Sequence, residues 1–195
     1  MMTQARMNVS RRSFLRTLAA GLAAGAWSGS AIAQAPAQSQ RLWLKRNQTQ
    51  ESIDAVYRTG SYLHVEGYVA ICRLCRDRHV PESEGIRQID LTVLDSLAAI
   101  QRILELEEGR RRAIVIHSGF RTEHTNRTFG GALNSLHQEG RALDFRIEGL
   151  DVRTVYEHFL PWHHTGGYGL YVPSAKRANG WIHLDSRPTP RTWRL

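Results

Sequence analysis

The sequence predicts an α+β fold, in which N-terminal helices pack on a small antiparallel sheet. Helical patterns come first along the chain, and short runs of β-branched and aromatic residues follow them. Helices and strands that are segregated in this way favour an α+β arrangement over an alternating α/β one.

The helices are predicted from apolar periodicity and from end signals. Residues 65–76 place their apolar side chains on one helical stripe, and a loop follows over residues 81–85. Asp90 is the expected N-cap of a long helix over residues 91–108, which Gly109 ends. Asp151 is the expected N-cap of a shorter helix over residues 152–160.

Four strands are predicted in the second half of the chain. They cover residues 113–117, 142–147, 168–172 and 181–185. Glycine pairs and an Asn-Gly dipeptide separate them, as is typical of turns and loops.

The first 33 residues are predicted to be a signal peptide. Arg11 and Arg12 precede an apolar run over residues 18–27, which is too short to span a bilayer of about 30 Å. The paired arginines indicate export by the twin-arginine translocase to the periplasm or another extracytoplasmic compartment, without stable membrane insertion after cleavage. An uncleaved membrane anchor is the alternative. Residues 34–50 are predicted to form a flexible lead-in, and residues 51–195 the folded domain.

Charge and cysteine content narrow the functional classes. Four of the 26 basic residues precede residue 34, so the mature chain is only modestly positive. A modest positive charge favours binding to anionic polymers in general and does not indicate nucleic acid in particular.

Cys72 and Cys75 lie in the first predicted helix, where a disulfide between them would be strained. No thioredoxin-like βαβ pattern surrounds them, so we interpret them as buried packing residues rather than as a thiol redox site.

Two segments carry the candidate chemistry. In strand 142–147, Leu143 and Phe145 share the core face, so Asp144 points to the opposite face. In strand 181–185, His183 and Asp185 likewise point away from the core. If these strands pair, Asp144 and His183 share one surface, and Gly140 lets the chain bend so that His137 reaches the same surface.

Two imidazoles and one carboxylate are the protein ligands of a catalytic zinc site, which leaves the fourth position to water. With nine histidines in the chain, chance proximity is the alternative explanation of this spacing.

The segment from Ser135 to Asp144 resembles a known family. It matches in full the pattern Ser-x-His-x-x-Gly-x-Ala-x-Asp of the D-alanyl-D-alanine metallo-carboxypeptidase and murein endopeptidase superfamily, most nearly its exported murein endopeptidase K branch. Segments 118–122, 166–171 and 181–185, together with Arg191 and Trp193, also resemble this family.

The resemblance implies a fold of the hedgehog and D-Ala-D-Ala metallopeptidase type and one zinc ion. It implies His137, Asp144 and His183 as the zinc ligands and Arg121 as a substrate-binding residue, with a structural salt bridge as the alternative for Arg121. Several branches of the family place a carboxylate, the catalytic base, three residues before the second zinc histidine. Here that position is Gly180, so the base has to be sought elsewhere.

Asp185 is the first candidate for the base, because it shares the face of His183. It could instead orient His183 by a hydrogen bond. His164 is the second candidate, and His163 is expected to be an exposed loop residue.

The leading hypothesis is a zinc metallopeptidase that cleaves peptidoglycan stem peptides or their cross-links, with peptidoglycan peptides as its partners and no nucleic-acid partner. A D,D- or L,D-carboxypeptidase and a non-catalytic peptidoglycan-binding protein on the same scaffold are the alternatives.

Overall fold

The computed structural model describes residues 38–175 and 178–195. These residues form an eight-stranded sheet with helices packed on one of its faces. The predicted signal peptide, residues 1–33, lies outside the described residues, as do residues 34–37 of the predicted lead-in.

Strands and helices both occur throughout the described chain. The strands are β1 (Ser39–Arg46), β2 (Ser52–Thr59), β3 (Tyr62–Leu63), β4 (Ile114–Ser118), β5 (Ala142–Ile147), β6 (Gly167–Tyr171), β7 (Trp181–Asp185) and β8 (Arg191–Arg194). The helices are α1 (Val65–Leu74), α2 (Glu82–Gly85), α3 (Leu91–Glu108), α4 (Glu123–Thr128) and α5 (Val152–Phe159). Two 3-10 turns lie at Leu136–Glu139 and Leu160–Trp162.

The sheet has the strand order β3-β2-β1-β4-β5-β7-β6-β8. Most neighbours are antiparallel, but β1 pairs with β4 and β6 pairs with β8 in parallel. The α+β class is therefore confirmed, whereas the prediction of a small antiparallel sheet preceded by helices is wrong. Three strands precede the first helix, and the parallel pairing of β1 with β4 is made possible by the long crossover through α1 and α3.

The prediction of a flexible lead-in over residues 34–50 is wrong from Ser39 onward. This segment contains β1, which lies between β2 and β4. Leu42 and Leu44 are fully buried, while Arg41 and Lys45 alternate with them and pair with acidic residues. A two-residue alternation was present in the sequence, but the polar composition of the segment outweighed it in the prediction.

The long helix α3 has the predicted bounds. The side chain of Asp90 accepts a hydrogen bond from the Thr92 amide at 2.7 Å, and Gly109 ends the helix with φ of 68°. The Asp151 side chain caps α5 in the same way. Both helices therefore begin where a carboxylate satisfies amides that have no partner within the helix.

Shorter elements were missed by the sequence analysis. The segment predicted as a loop over residues 81–85 contains α2, and α4 and β8 were not predicted. Elements of four to six residues show too little periodicity to be distinguished from loops.

The core lies between one face of the sheet and the helices α1, α3 and α5. Alternate residues of the central strands, such as Phe145 and Ile182, contribute to it. The other face of these strands can therefore carry polar residues. Among the described residues, no helix is both long and apolar enough to cross a membrane.

Cys72 and Cys75 are buried and free, as the sequence analysis predicted. Burial raises the pKa of the Cys75 thiol to about 12. A thiol that stays protonated is a poor nucleophile, so these residues contribute packing rather than redox chemistry.

The two thiols should react with a thiol reagent only after the protein is unfolded. Cys75→Ser should lower the free energy of unfolding by about 1–3 kcal/mol, because a hydroxyl group then occupies a fully buried apolar position. Cys72→Ser is the matched control and should lower the free energy of unfolding by less, because the Ile89 backbone and Tyr68 lie within hydrogen-bond reach of residue 72. Denaturant titration measures both, and fast labelling of the native protein would contradict the packing role.

Candidate metal centre

The centre is built on the pairing of β5 with β7. Asp144 and His183 are direct cross-strand partners in this antiparallel ladder. Their neighbours Leu143 and Leu184, also partners, are buried in the core on the opposite face. The predicted shared surface of Asp144 and His183 is therefore present.

His137 reaches this surface from the 3-10 turn that precedes β5. The turn ends at Gly140, whose φ is 71°. A Cβ atom at this position would lie 2.2 Å from the Gln88 carbonyl oxygen, so only glycine fits. The bend that the sequence analysis assigned to Gly140 is thus required by both conformation and space.

Three potential donor atoms meet at this point. The Nδ1 atom of His183 lies 2.8 Å from Oδ1 of Asp144, and Nε2 of His137 lies 3.3 Å from each of these two atoms. A tetrahedral zinc ion with bonds of about 2.0–2.1 Å holds its donor atoms roughly 3.3 Å apart. The three side chains are only 3%, 7% and 12% exposed, in the order His137, Asp144 and His183. The spacing and the donor types therefore fit a metal ion.

Both candidate histidine ligands form a contact through the ring nitrogen that points away from the centre. His137 Nδ1 lies 2.8 Å from the Gly119 carbonyl oxygen, which leaves Nε2 unprotonated for a metal. His183 Nε2 lies 3.0 Å from Oδ2 of Asp185, which leaves Nδ1 for the same purpose. Such outer contacts are usual around metal-binding histidines, because they fix the tautomer and the ring orientation.

The electrostatics of the cluster favour a cation at its centre. Burial opposes protonation of His183, but the hydrogen bonds with Asp144 and Asp185 outweigh it and raise the His183 pKa to about 9. Burial also opposes ionisation of Asp144, yet the two histidines hold its pKa well below the usual range. Burial lowers the pKa of His137. Asp144 is thus stable as a carboxylate and His137 as a neutral imidazole, which are metal-ligating forms, whereas the proton held by His183 is one that a bound cation would displace.

Asp185 contacts His183, but its geometry favours the orienting role over that of a base. Its Oδ1 accepts hydrogen bonds from the amides of Gly167 and Arg187, and its Oδ2 accepts them from His183 and the Arg187 guanidinium. Burial would raise its pKa, but the hydrogen bonds with His183 and Arg187 lower it overall. A carboxylate whose oxygens are already occupied is poorly placed to accept a proton.

Arg121 lies beside the cluster. Its Nη2 donates to Oδ2 of Asp144 at 3.1 Å, and its Nε donates to Ser118 Oγ at 2.9 Å. The salt bridge considered as an alternative for Arg121 is therefore present. It leaves Oδ1 of Asp144 without a contact to Arg121, and the Arg121 side chain is still 19% exposed.

The prediction of His164 as an alternative base conflicts with its position. His163 and His164 line a small cavity together with Ser96, Ile100 and Tyr168. This cavity lies on the face of the sheet that α3 covers, whereas the candidate ligands occupy the other face. His163 is partly buried rather than an exposed loop residue, because its ring stacks on Tyr168 at 4.9 Å.

Four residues that support the site had no role predicted from the sequence, namely Arg187, Gly119, Gly169 and Trp193. Arg187 holds Asp185, and its guanidinium lies 5.2 Å from the Trp193 ring. Gly119 supplies the carbonyl oxygen for His137, and Gly169 leaves room for Trp193, because a Cβ there would lie 2.3 Å from the indole. Trp193 lies 5.2 Å from the His183 ring. Trp193 was among the residues that resemble the family, so the sequence did point to it. Arg187 was one arginine among many basic residues, and nothing in the sequence distinguished it.

Comparison with known proteins agrees with this geometry. Residues 76–185 match the family described as Peptidase M15, and this stretch contains all three candidate ligands. The peptidoglycan L,D-endopeptidase MepK of Escherichia coli (strain K12) is 30% identical over 177 residues, which cover 85% of this chain and 90% of the relative.

Two further relatives carry related names. The peptidoglycan L,D-endopeptidase MepK of Shigella flexneri has the same identity and coverage. A probable peptidoglycan L,D-endopeptidase MepK of Haemophilus influenzae is 31% identical over 126 residues, covering 62% of this chain and 61% of the relative. The resemblance noted at Ser135–Asp144 is thereby confirmed, and the chain belongs to the peptidase M15 family.

Proposed function

We propose that this protein is a zinc-dependent peptidase that hydrolyses peptide bonds in peptidoglycan stem peptides or cross-links. The observation that carries the proposal is the triangle of His137 Nε2, Asp144 Oδ1 and His183 Nδ1, whose edges are 2.8–3.3 Å long. Membership of the peptidase M15 family and the names of the relatives supply the substrate class.

One zinc ion per chain would be held by these three side chains. Bound there, it would polarise a scissile carbonyl group and increase the acidity of a water molecule. Arg121, which already contacts Asp144, would keep that carboxylate oriented and present its exposed part to a carbonyl or carboxylate of the substrate.

The names of the relatives favour endopeptidase cleavage of an L,D bond in peptidoglycan over a carboxypeptidase activity. A peptidoglycan substrate agrees with the predicted export by the twin-arginine translocase and with a periplasmic or other extracytoplasmic location. The modest positive charge expected for the mature chain suits the same anionic polymer.

One observation favours a second candidate, a non-catalytic peptidoglycan-binding protein. Gly180 has no side chain at the position where several branches of the family carry a carboxylate base. Such a protein would retain peptidoglycan binding and would release no fragments.

The proposed activity is tested with purified mature protein and peptidoglycan. We expect soluble muropeptides whose masses identify the cleaved bond, and we expect a chelator to abolish their release and added zinc to restore it. Mass spectrometry of the products is the measurement. Binding of peptidoglycan without any release would favour the non-catalytic candidate.

The metal assignment predicts about one zinc ion per chain, the content of a single three-ligand site. His137→Ala, Asp144→Ala and His183→Ala should each abolish or sharply weaken zinc binding, because two ligands hold the ion poorly. His124→Ala is the matched control, since this histidine is exposed on α4. Metal analysis of the purified variants checks this, and full zinc retention by His183→Ala would refute the assignment.

Asp185→Asn tests whether this carboxylate orients His183 or acts as a base. As an orienting residue, its loss should weaken zinc affinity by about 10–100-fold. Zinc affinity is measured by competition with a chromophoric chelator. Unchanged affinity together with a rate loss of about 10²–10⁴ would instead identify Asp185 as the base.

A further inference from the structure

The proposed reaction needs a group that accepts a proton from water and gives it to the leaving amine. Gly180 cannot supply it, and no side chain fits there, because its φ is 62° and a Cβ would lie 2.5 Å from the Tyr171 carbonyl oxygen. The oxygens of Asp185 already accept hydrogen bonds, and His164 lies on the other face of the sheet. Each of these three positions is therefore poorly suited to accept the proton.

His117 lies on the same face as the candidate ligands. The pairing of β4 with β5 shifts between Ile116 and Ser118, so His117 is the extra residue of a bulge beside the pair formed by Ser118 and Asp144. Its ring is 5.9 Å from the ring of Trp181, although β5 separates their two strands. Since Trp181 is two residues before His183 and shares its face of the sheet, the His117 imidazole lies on the face that carries the candidate ligands.

The Nε2 atom of His117 is buried and has no hydrogen-bond partner among the described residues. Leaving a buried polar atom unpaired is unfavourable, so such an atom in a folded protein calls for an explanation. The ring itself is held in place, because it packs against Trp181, which stacks in turn on Tyr171 at 5.0 Å.

The surroundings keep this imidazole neutral. Burial lowers the pKa of His117, Arg146 and Arg46 lower it further, and Asp144 opposes them. A neutral imidazole with an unpaired nitrogen can accept a proton, whereas an imidazolium cannot.

We propose that His117 is the catalytic proton-transfer residue of this site. The inference rests on the proposed peptidase function. As the oxygen of a water molecule bonds to the scissile carbonyl carbon, one O–H bond breaks and its proton moves to Nε2 of His117. When the C–N bond breaks, His117 returns this proton to the amine nitrogen, so one water is consumed and the imidazole is regenerated.

The test compares the wild-type chain with His117→Gln and His117→Phe. The phenylalanine side chain retains an aromatic ring that can pack against Trp181, but this ring has no nitrogen that could accept a proton. Both variants should keep about one zinc ion per chain, lose about 10²–10⁴ in kcat, and change KM by less than about threefold. His124→Gln, an exposed histidine, is the matched control and should keep wild-type rates.

A second measurement does not depend on turnover. A phosphinate analogue of the cleaved bond should take up about one proton when it binds the zinc-loaded wild-type protein, because His117 becomes protonated beside it. The uptake is obtained from calorimetric titrations in buffers of different ionisation enthalpy. It should disappear in both His117 variants.

The outcomes separate the two proposals. An active wild-type protein whose His117 variants stay within about threefold of its kcat would overturn this inference alone. Loss of zinc or of the fold in both variants would assign His117 a structural role and would also overturn it. A zinc-loaded wild-type protein that releases nothing from peptidoglycan would overturn the proposed function, and this inference with it.

Discussion

The pairing register of β5 with β7 is the constraint on which the site depends. It places Asp144 opposite His183 and, on the reverse face, Leu143 opposite Leu184. A shift of one residue would turn the apolar set to the open face and bury a histidine and a carboxylate in the core. The hydrophobic core thus fixes the register, and the register brings together two of the three candidate ligands.

The third candidate ligand depends on backbone contacts from distant parts of the chain. His137 is held by the carbonyl of Gly119, and Gly140 packs against the backbone of Gln88 just before α3. A side chain at Gly119 would also clash, since a Cβ there would lie 2.2 Å from the Cys75 carbonyl oxygen. The candidate metal centre is therefore supported by close backbone approaches, which explains why glycines surround it.

The C-terminal strand completes the site from the other side. Trp193 of β8 packs against Gly169 and His183. Its indole nitrogen lies 3.3 Å from the Tyr171 hydroxyl. The Arg187 guanidinium lies over the indole ring and also forms a salt bridge with Asp185. These contacts link β6, β7 and β8 on the face that carries the ligands. The orientation of His183 is thus coupled to the last residues of the chain, because Asp185 and Trp193 both contact it.

The sequence by itself determined the α+β class, the bounds of α3 and the faces of β5 and β7, and it predicted the three candidate ligands. Each of these follows from local rules, namely apolar periodicity, capping residues and strand alternation, together with one specific motif. Only the tertiary structure decided that Asp185 is surrounded by donors, that His164 lies on the far face, and that His117 lies on the face of the candidate ligands. It also showed that Ser39–Arg46 is a central strand. These features depend on which strands pair and where a bulge falls, and such contacts join residues far apart in the chain that local patterns do not encode.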